Sequence, residues 1–254
     1  MKTVVVIPAR LSSSRLSKKV LLDLKGKSVI QRVYEQVNKA KKIKDIYIAT
    51  DSEEVRGECK KFTDNIIMTS KEHQSGTDRI AEAVKEIDCD VVINVQGDEP
   101  FIKPELIDEL AKVMENDGIK MASVMHRIAN VEELLNPNVV KVIINKKNEA
   151  IYFSRSAIPY IRDERDILLD YHKKIPENLK FYRHLGIYAY SKEFLLKYSQ
   201  MEMTYLEKLE KLEQLRVIES GYKIKMIETD YSSIGIDTKE DYEKALEILE
   251  KGYN

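Results

Sequence analysis

The first half of the chain alternates short β-branched runs with longer amphipathic stretches, and this alternation narrows the possible folds most. The short runs are apolar and bounded by polar residues, as buried strands are, at Thr3–Ile7, Asp45–Ala49 and Val91–Val95. Apolar residues three and four positions apart predict helices over Val29–Ala40, Asp78–Ile87 and Pro104–Met114. We therefore predict an α/β fold of three layers around a mainly parallel sheet, with ligands bound beyond the carboxyl ends of the strands.

The pattern changes from about Met121 onward. Longer and partly antiparallel strands are predicted at Val139–Ile144, Ala150–Phe153 and Leu185–Ala189. One continuous helix is predicted over Thr204–Ser220, and a terminal helix begins at Thr238. With no Gly/Ser-rich or Pro-rich linker in the chain, we predict a single domain over residues 1–254, in which residues 121–190 form a smaller inserted sheet or lobe.

The charge balance excludes a strongly charged surface. The 42 basic and 43 acidic side chains nearly cancel, so no global field favours a nucleic-acid partner, and any anion site must be local. No apolar run approaches the roughly 18 residues of a membrane span. Cys59 and Cys89 are far apart and outside any CxxC pair, which predicts buried thiols in a reducing, cytoplasmic setting.

The loop after the first predicted strand is a candidate phosphate-binding loop. Residues 8–19 read PARLSSSRLSKK, so cations and hydroxyls are crowded directly behind a buried strand. Such groups and the backbone amides beside them bind phosphate oxygens, although the run would also suit a solvated surface loop. Nearby Gly26-Lys27-Ser28 resembles the end of a P-loop, but Leu21 stands where that motif needs glycine. We interpret it as a turn entering the next helix.

Two aspartates are candidate metal ligands. Asp98 follows the strand pattern at Val91–Val95, where a divalent cation bridging phosphates would lie, and Gly97 would permit close backbone approach to a ligand. Alternatively, the Asp98-Glu99-Pro100 turn would cap the following helix. Asp237 precedes the terminal helix, and its local sequence favours a role as the helix N-cap.

Taken together, eight segments resemble the family of CMP-KDO synthetases, the 3-deoxy-manno-octulosonate (KDO) cytidylyltransferases. They occur in family order over nearly the whole chain, at residues 7–10 with 14–16 and 19, 73–79, 94–100, 136–141, 152–155 with 158–160, 183–184 with 186–190, 212–216, and 235–238. No one of these motifs is decisive, but eight in register are not a coincidence.

The resemblance implies a Rossmann-like nucleotidyltransferase that makes CMP-KDO and pyrophosphate from CTP and KDO, for lipopolysaccharide biosynthesis. It also implies Mg²⁺ as cofactor and a homodimer formed through the smaller lobe. The residues that it assigns to CTP are Arg10, Ser13, Arg15, Lys19, Ser75 and Gln96. The metal ligands are Asp98 and Asp237, which with Lys19 make up the implied catalytic set. This assignment reverses the preference for Asp237 as a helix cap.

The sugar acid is assigned to residues of the second half of the chain, namely Arg155, His184, Tyr188, Glu213 and Gln214. Arg155 is the expected partner of the substrate carboxylate. His184 would otherwise be a hydrogen-bonded strand histidine, and Tyr188 a core residue. We interpret the neighbouring Glu207 and Glu210 as solvated side chains.

One departure from the family pattern concerns the phosphate loop. The family commonly reads Arg-Leu-Pro-Gly-Lys, whereas this chain has Ser17 and Lys18 before Lys19. Without the glycine, a positive φ in the loop is less accessible.

Three other functions stay open at this stage. A nonulosonic acid such as neuraminate would be used by the same chemistry. A nucleotide-sugar glycosyltransferase would need an Asp-x-Asp metal motif, of which residues 96–98 supply only Asp98. A catalytically inactive nucleotide sensor would have no need of the full charged set.

Overall fold

The computed structural model describes residues 1–11, 16–73, 75–163, 168, 170, 172–231 and 234–252. The chain divides into two compact units. The first unit contains residues 1–116, 187–199 and 233–254, and the second contains residues 117–186 and 200–232. Within the part of the chain that the structure describes, no helix is long and apolar enough to cross a membrane.

The elements are numbered along the chain. The strands are β1 (Thr3–Ala9), β2 (Asp45–Thr50), β3 (Ile66–Met68), β4 (Val91–Asn94), β5 (Met121–Arg127), β6 (Lys141–Ile144), β7 (Ala150–Ser154), β8 (Tyr182–Ser191) and β9 (Lys225–Thr229). The helices are α1 (Val29–Val37), α2 (Glu53–Cys59), α3 (Gly76–Ala83), α4 (Pro104–Met114), α5 (Val131–Leu135), α6 (Lys192–Tyr198), α7 (Tyr205–Glu210), α8 (Gln214–Glu219) and α9 (Lys239–Glu250).

The first unit is built on parallel strands in the order β3-β2-β1-β4. The end of β8 (residues 188–191) adds an antiparallel partner to β4. All seven residues of β1 are buried, as are the four of β4, because helices cover these strands. Helices α1 and α4 pack together, α3 contacts α6, and each pair also contacts the strands. The predicted α/β class with a mainly parallel sheet is confirmed.

Helix α1 begins as the sequence predicted. Ser28 is its N-cap, and the Ser28 hydroxyl accepts a hydrogen bond from the Gln31 amide at 3.4 Å. Gly26 takes a φ of 81° in the turn before it, and Lys27 pairs with Glu35 of the helix at 2.7 Å. The Gly26-Lys27-Ser28 segment is therefore a turn and helix cap, and not a P-loop.

The second unit contains a parallel pair, β5 with β9, and an antiparallel hairpin, β6 with β7. The beginning of β8 pairs with β6 through Tyr182 and Arg183. A separate apolar cluster supports this unit, with Ile128, Val131, Leu134, Ile175 and Phe181 at its centre.

Two details of the second unit differ from the expectations. The unit is larger than residues 121–190, because β9 pairs with β5 and brings residues 200–232 into it. The helix predicted over Thr204–Ser220 is broken into α7 and α8, since Lys211 takes a left-handed conformation with φ 54° that ends α7. The break places Glu213 and Gln214 at the start of α8.

Lys18 shows how the loop accommodates the missing glycine. It adopts the left-handed conformation, with φ 52° and ψ 31°, at the start of a 3₁₀ turn over Lys19–Leu21. Its ammonium group pairs with Glu54 at 2.7 Å, between two half-exposed side chains. The backbone thus keeps a glycine-like conformation at a lysine, which is unfavourable by roughly 1–2 kcal/mol for an L-residue.

We expect Lys18→Gly to raise the free energy of unfolding by about 0.5–1 kcal/mol, because the relief of left-handed strain exceeds the added flexibility of the unfolded chain. Lys18→Ala keeps the strain and loses only an exposed ion pair, so its stability should stay within about 0.5 kcal/mol of the parent. Urea unfolding of the two variants checks this. Equal stability of the alanine and glycine variants would show that the loop does not hold φ positive in solution.

Candidate active site

The carboxyl ends of β1 and β4 lie side by side, because the two strands are parallel neighbours. Arg10 follows β1, and Gln96-Gly97-Asp98 follows β4 within four residues. A Cβ on Gly97 would lie 2.8 Å from the Pro8 carbonyl oxygen, so only glycine fits here. Gly97 thus allows the end of β1 and the turn after β4 to approach each other closely. The expected approach of a ligand to this backbone stays a prediction.

Lys19 joins both predicted metal ligands. Its ammonium group donates to the Asp98 carboxylate and, at 2.7 Å, to Oδ1 of Asp237. The Lys19 and Asp98 side chains are mostly buried, with 18% and 21% of their surface exposed. Three segments remote in sequence are therefore brought to one point by charge.

Asp237 is not the cap of the terminal helix. The N-cap of α9 is Thr238, whose hydroxyl accepts from the Asp241 amide at 3.2 Å, while the Asp241 carboxylate accepts from the Thr238 amide at 2.9 Å. The Ile236 amide donates to the Asp98 carbonyl oxygen at 2.9 Å and so holds Asp237 beside Asp98. The local interpretation of Asp237 as a cap is wrong.

The alternative role of the Asp98-Glu99-Pro100 turn, as a cap of the following helix, is also wrong. The helix that follows it, α4, has Lys103 at the N-cap and Pro104 in its first turn. The Asp98 carboxylate instead binds Lys19.

Burial lowers the pKa of Lys19, but the charge of Asp98 and hydrogen bonds to Asp237 and Asp98 outweigh it, so the pKa lies above its ordinary value. Lys19 therefore stays a cation at neutral pH. The oxygen donors beside it suit Mg²⁺, which is commonly bound by one or two carboxylates together with substrate phosphates. Among the described residues, no group of three or more His, Cys, Asp or Glu side chains could hold a metal. The site fits a metal that is shared with a phosphate ligand.

Ser75 lies at the start of α3 in the same unit. Its hydroxyl caps the helix by accepting from the Asp78 amide at 3.0 Å. Arg79, one turn later, is fully buried; its guanidinium binds Asp51 at 2.6 Å and also the Thr69 hydroxyl. Because Asp51 follows β2 and Thr69 follows β3, Arg79 fixes the loop that leads to Ser75. Sequence reasoning missed this role, although Arg79 belongs to one of the quoted motifs.

Of the remaining residues assigned to CTP, the structure describes Arg10 and Gln96 but not Ser13 and Arg15. Arg10 directly follows β1, and the Gln96 amide group donates to Asn94 Oδ1 at 3.3 Å. Ser13 and Arg15 lie outside the described residues. Their assignment stays a prediction.

Tyr188, assigned to the sugar acid, belongs to the first unit. It pairs in register with Asn94, the last residue of β4. Its ring stacks on Tyr190 with 5.9 Å between centroids. The half-buried Tyr188 therefore lies beside the strand end that leads to Asp98.

His184 lies on β8 in the second unit and is half-buried there, in contact with other side chains. Its Nε2 lies 2.8 Å from the Ser123 hydroxyl, and its Nδ1 lies 3.4 Å from the side-chain amide of Gln214. Phe153 meets the ring edge-on at 4.9 Å. Burial lowers the pKa of His184 to about 3, so the imidazole is neutral at physiological pH.

Arg155 follows β7 and is held by main-chain carbonyls. Its Nε donates to the Glu210 carbonyl oxygen at 2.7 Å, and its Nη1 donates to the Pro137 carbonyl oxygen at 3.1 Å. A guanidinium has five N–H donors, so these two contacts still leave donors for a carboxylate ligand. Both of these acceptors are uncharged main-chain carbonyls.

Glu207 and Glu210, the acidic neighbours of the sugar-acid residues, were expected to be solvated side chains. The structure shows instead that both are bound by other residues of the protein. Glu207 is 3% exposed and pairs with Arg216 at 2.5 Å. The Glu210 carboxylate accepts from the Ser154 hydroxyl at 2.6 Å and from the Arg155 amide at 3.0 Å. Beyond them, Glu213 is half-buried and Gln214 is 4% exposed. The structure thus brings Gln214 to His184, and places Arg155 against α7.

Known proteins are similar to this chain in both sequence and fold. The family described as cytidylyltransferase matches residues 4–225. A 3-deoxy-manno-octulosonate cytidylyltransferase of Geotalea uraniireducens is 46% identical over 99% of this chain and 100% of its own length. One of Flavobacterium johnsoniae is 45% identical over 98% of this chain and 99% of its own. A solved CMP:2-keto-3-deoxy-manno-octonic acid synthetase complexed with CTP matches with TM-score 0.90 and 37% identity, over 99% of each chain.

The chain is accordingly a nucleotidyltransferase of the cytidylyltransferase class. More narrowly, it belongs to the family of 3-deoxy-manno-octulosonate cytidylyltransferases, because its similarity to those proteins is both high and full-length. The family resemblance inferred from the eight motifs is confirmed.

His184 yields a prediction about acid stability. In the unfolded chain a histidine binds a proton below about pH 6.5, whereas folded His184 does so only near pH 3, so protonation favours unfolding between these values. From about pH 7.5 to about pH 5, this residue alone should remove about 2 kcal/mol of unfolding free energy.

The matched variant is His184→Gln, which keeps hydrogen-bonding groups and does not titrate. Urea unfolding at both pH values should show a smaller loss of stability in the variant than in the parent. An equal loss in both proteins would mean that His184 is not buried as a neutral ring.

Proposed function

We propose that this protein transfers CMP from CTP to 3-deoxy-manno-octulosonate, releasing pyrophosphate and forming the CMP-sugar for lipopolysaccharide biosynthesis. The observation that carries the proposal is the junction of Lys19, Asp98 and Asp237 at the carboxyl edge of the parallel strands, in a chain that is full-length similar to KDO cytidylyltransferases. An inactive sensor would not need a cation held between two carboxylates. In the reaction, the anomeric hydroxyl attacks the α-phosphorus of CTP, and the bond from that phosphorus to the pyrophosphate oxygen breaks.

The first unit supplies the groups for CTP. Arg10 and Lys19 bring positive charge to the strand edge, where the phosphates would lie. Ser13 and Arg15, which the sequence assigns to CTP, stand between them in the chain. Nucleotidyl transfer depends mainly on positioning and charge neutralisation, so fixed cations are suited to stabilise the leaving pyrophosphate. Ser75 and Gln96 are the proposed contacts on the cytosine side.

Asp98 and Asp237 are the proposed ligands of Mg²⁺. Bound there, the metal would neutralise phosphate charge and lower the pKa of a coordinated hydroxyl. The Lys19 ammonium group contacts both carboxylates, so the two proposed ligands already meet at a point where positive charge is bound.

Asp237 and Thr238 make a matched pair for testing the metal proposal. Asp237→Asn should remove most turnover, because it takes one anionic ligand away, and should leave the N-cap of α9 intact. Thr238→Ala should instead lower the unfolding free energy by about 1 kcal/mol and keep turnover. Turnover is measured as pyrophosphate release and stability by thermal unfolding. The parent enzyme is also assayed with EDTA and then with added magnesium. Retained turnover in Asp237→Asn would rule this residue out as a ligand.

Of the proposed sugar-acid groups, Arg155, His184, Glu213 and Gln214 belong to the second unit, and Tyr188 belongs to the first. KDO presents one carboxylate and several hydroxyls. It therefore needs one forked cation, for which Arg155 is the candidate, and neutral or accepting groups for the hydroxyls. His184 is suited to the neutral part, since its low pKa prevents a second positive charge there.

The choice of sugar acid is tested by comparing KDO with N-acetylneuraminate at the same CTP concentration. We expect turnover with KDO and at least about a hundredfold lower kcat/KM with N-acetylneuraminate, because sites that hydrogen-bond substrate hydroxyls discriminate strongly. Coupled pyrophosphate detection gives both values. Comparable efficiencies would overturn the sugar assignment and leave the cytidylyltransferase class in place.

We also propose a homodimer formed through the second unit. Large apolar side chains are exposed there, at Ile151, Tyr160, Tyr205 and Leu209. Strand β7, which carries Ile151, pairs with β6 in the described ranges, and an exposed strand edge favours a partner. Light scattering at micromolar concentration should show twice the chain mass, and a monomeric mass would refute the proposal.

For the cellular setting we propose the cytoplasm. Cys59 and Cys89 are both buried free thiols, and burial raises the pKa of Cys59 to about 12. Such thiols are consistent with a reducing compartment.

A further inference from the structure

Lys141 is a fully buried cation at the start of β6. Its ammonium group donates to three main-chain carbonyls, those of Asn136 at 2.9 Å, Val139 at 2.6 Å and Arg155 at 2.5 Å. An ammonium group has three N–H donors and no acceptor, so the three carbonyls satisfy it completely. Lys141 therefore ties the loop at residues 136–139 to the backbone of Arg155.

The same loop and the same backbone hold the Arg155 side chain. Nη1 of Arg155 donates to the carbonyl of Pro137, which lies within the loop that Lys141 fixes. From the other side, Glu210 binds Arg155 twice, through its carboxylate to the Arg155 amide and through its carbonyl to Nε. Arg155 is thus fixed at its amide, its carbonyl and two nitrogens of its guanidinium.

The charges of this frame act on each other. Burial lowers the pKa of Lys141, and the negative charge of Glu210 opposes that shift. A buried cation without a compensating environment is strongly unfavourable, so its presence at a position remote from solvent requires a reason. Holding three carbonyls in one geometry is such a reason.

We propose that Lys141 and Glu210 are positioning residues for Arg155, which hold its guanidinium at the angle and depth that bind the carboxylate of the sugar acid. Neither residue needs to touch the substrate; each acts through Arg155. The inference rests on the proposed function, in which Arg155 receives that carboxylate.

The test is a double-variant cycle of Lys141→Met and Arg155→Ala. Methionine has a similar length to lysine but cannot donate hydrogen bonds. Lys141→Met alone should raise the KM for KDO at least about tenfold and leave the KM for CTP within about twofold. Lys146→Met, on the exposed turn of the same β6–β7 hairpin, is the control and should change neither KM.

The double variant distinguishes positioning from general support of the fold. If Lys141 acts through Arg155, Lys141→Met should add less than about twofold to the KM for KDO once Arg155 is alanine. An equal increase in both backgrounds, or an increase in the KM for CTP as large as that for KDO, would overturn the proposal. So would a Lys141→Met enzyme with an unchanged KM for KDO. Thermal unfolding of each variant accompanies the kinetics.

Glu210→Gln takes the place of Lys141→Met in the cycle if the latter does not fold. Glutamine keeps one acceptor oxygen but turns an amide group toward the donors of Ser154 and Arg155, so the same outcomes are expected and the same ones overturn the proposal. Failure of the proposed function has a different signature, since the parent enzyme would then form no CMP-KDO. An Arg155→Ala enzyme with an unchanged KM for KDO would remove the premise and the inference with it.

Discussion

The contact of Lys19 with two aspartates is the interaction on which the site of the first unit depends. Asp98 and Asp237 lie 139 positions apart, and two like charges brought to one point repel each other. The ammonium group between them removes that repulsion, and the hydrogen bond from the Ile236 amide to the Asp98 carbonyl keeps the two segments in register. Lys19, Asp98 and Asp237 are therefore held together by contacts within the protein itself, and groups fixed in this way can stabilise charge without reorganisation.

An element of the fold could be predicted when a local sequence pattern determines it, and could not when it depends on contacts between distant parts of the chain. The β-branched runs of β1, β2 and β4 are local, and all residues of β1 and β4 and four of the six in β2 are buried, so the apolar pattern alone identified these strands. Strand β3, with three residues, is too short to show a period. The break between α7 and α8 carries no Gly or Pro, because Lys211 supplies the left-handed turn, and an amphipathic pattern continues through it. Only tertiary contacts, such as those that hold the ends of α7, reveal that break.

The same distinction applies to the site residues. Asp98 and Lys19 follow strand or loop signals that are visible in the sequence, and the structure places them together. In the sequence, Glu207 and Glu210 look like solvated helix residues, because their binding partners are brought to them only by folding. Glu207 pairs with Arg216, and Glu210 binds Ser154 and Arg155. The family motifs contained Arg79 and Lys141 but said nothing of what they do. Local sequence could not, since folding brings Asp51 and Thr69 to Arg79, and the Arg155 carbonyl to Lys141.

The two buried cations Arg79 and Lys141 both orient a neighbouring segment of the chain, but they bind different kinds of acceptor. Arg79 has a planar fork of donors and binds the Asp51 carboxylate and a threonine hydroxyl, whereas Lys141 is a compact charge that binds three neutral carbonyls. Each lies behind a segment with an assigned ligand contact, Ser75 in one unit and Arg155 in the other. The three atoms that accept from the Lys141 ammonium group are main-chain carbonyls, and so are the acceptors of Arg155 Nε and Nη1. The Glu210 carboxylate contacts the Arg155 main-chain amide instead, so the guanidinium is oriented by neutral groups and its further donors can serve an acid.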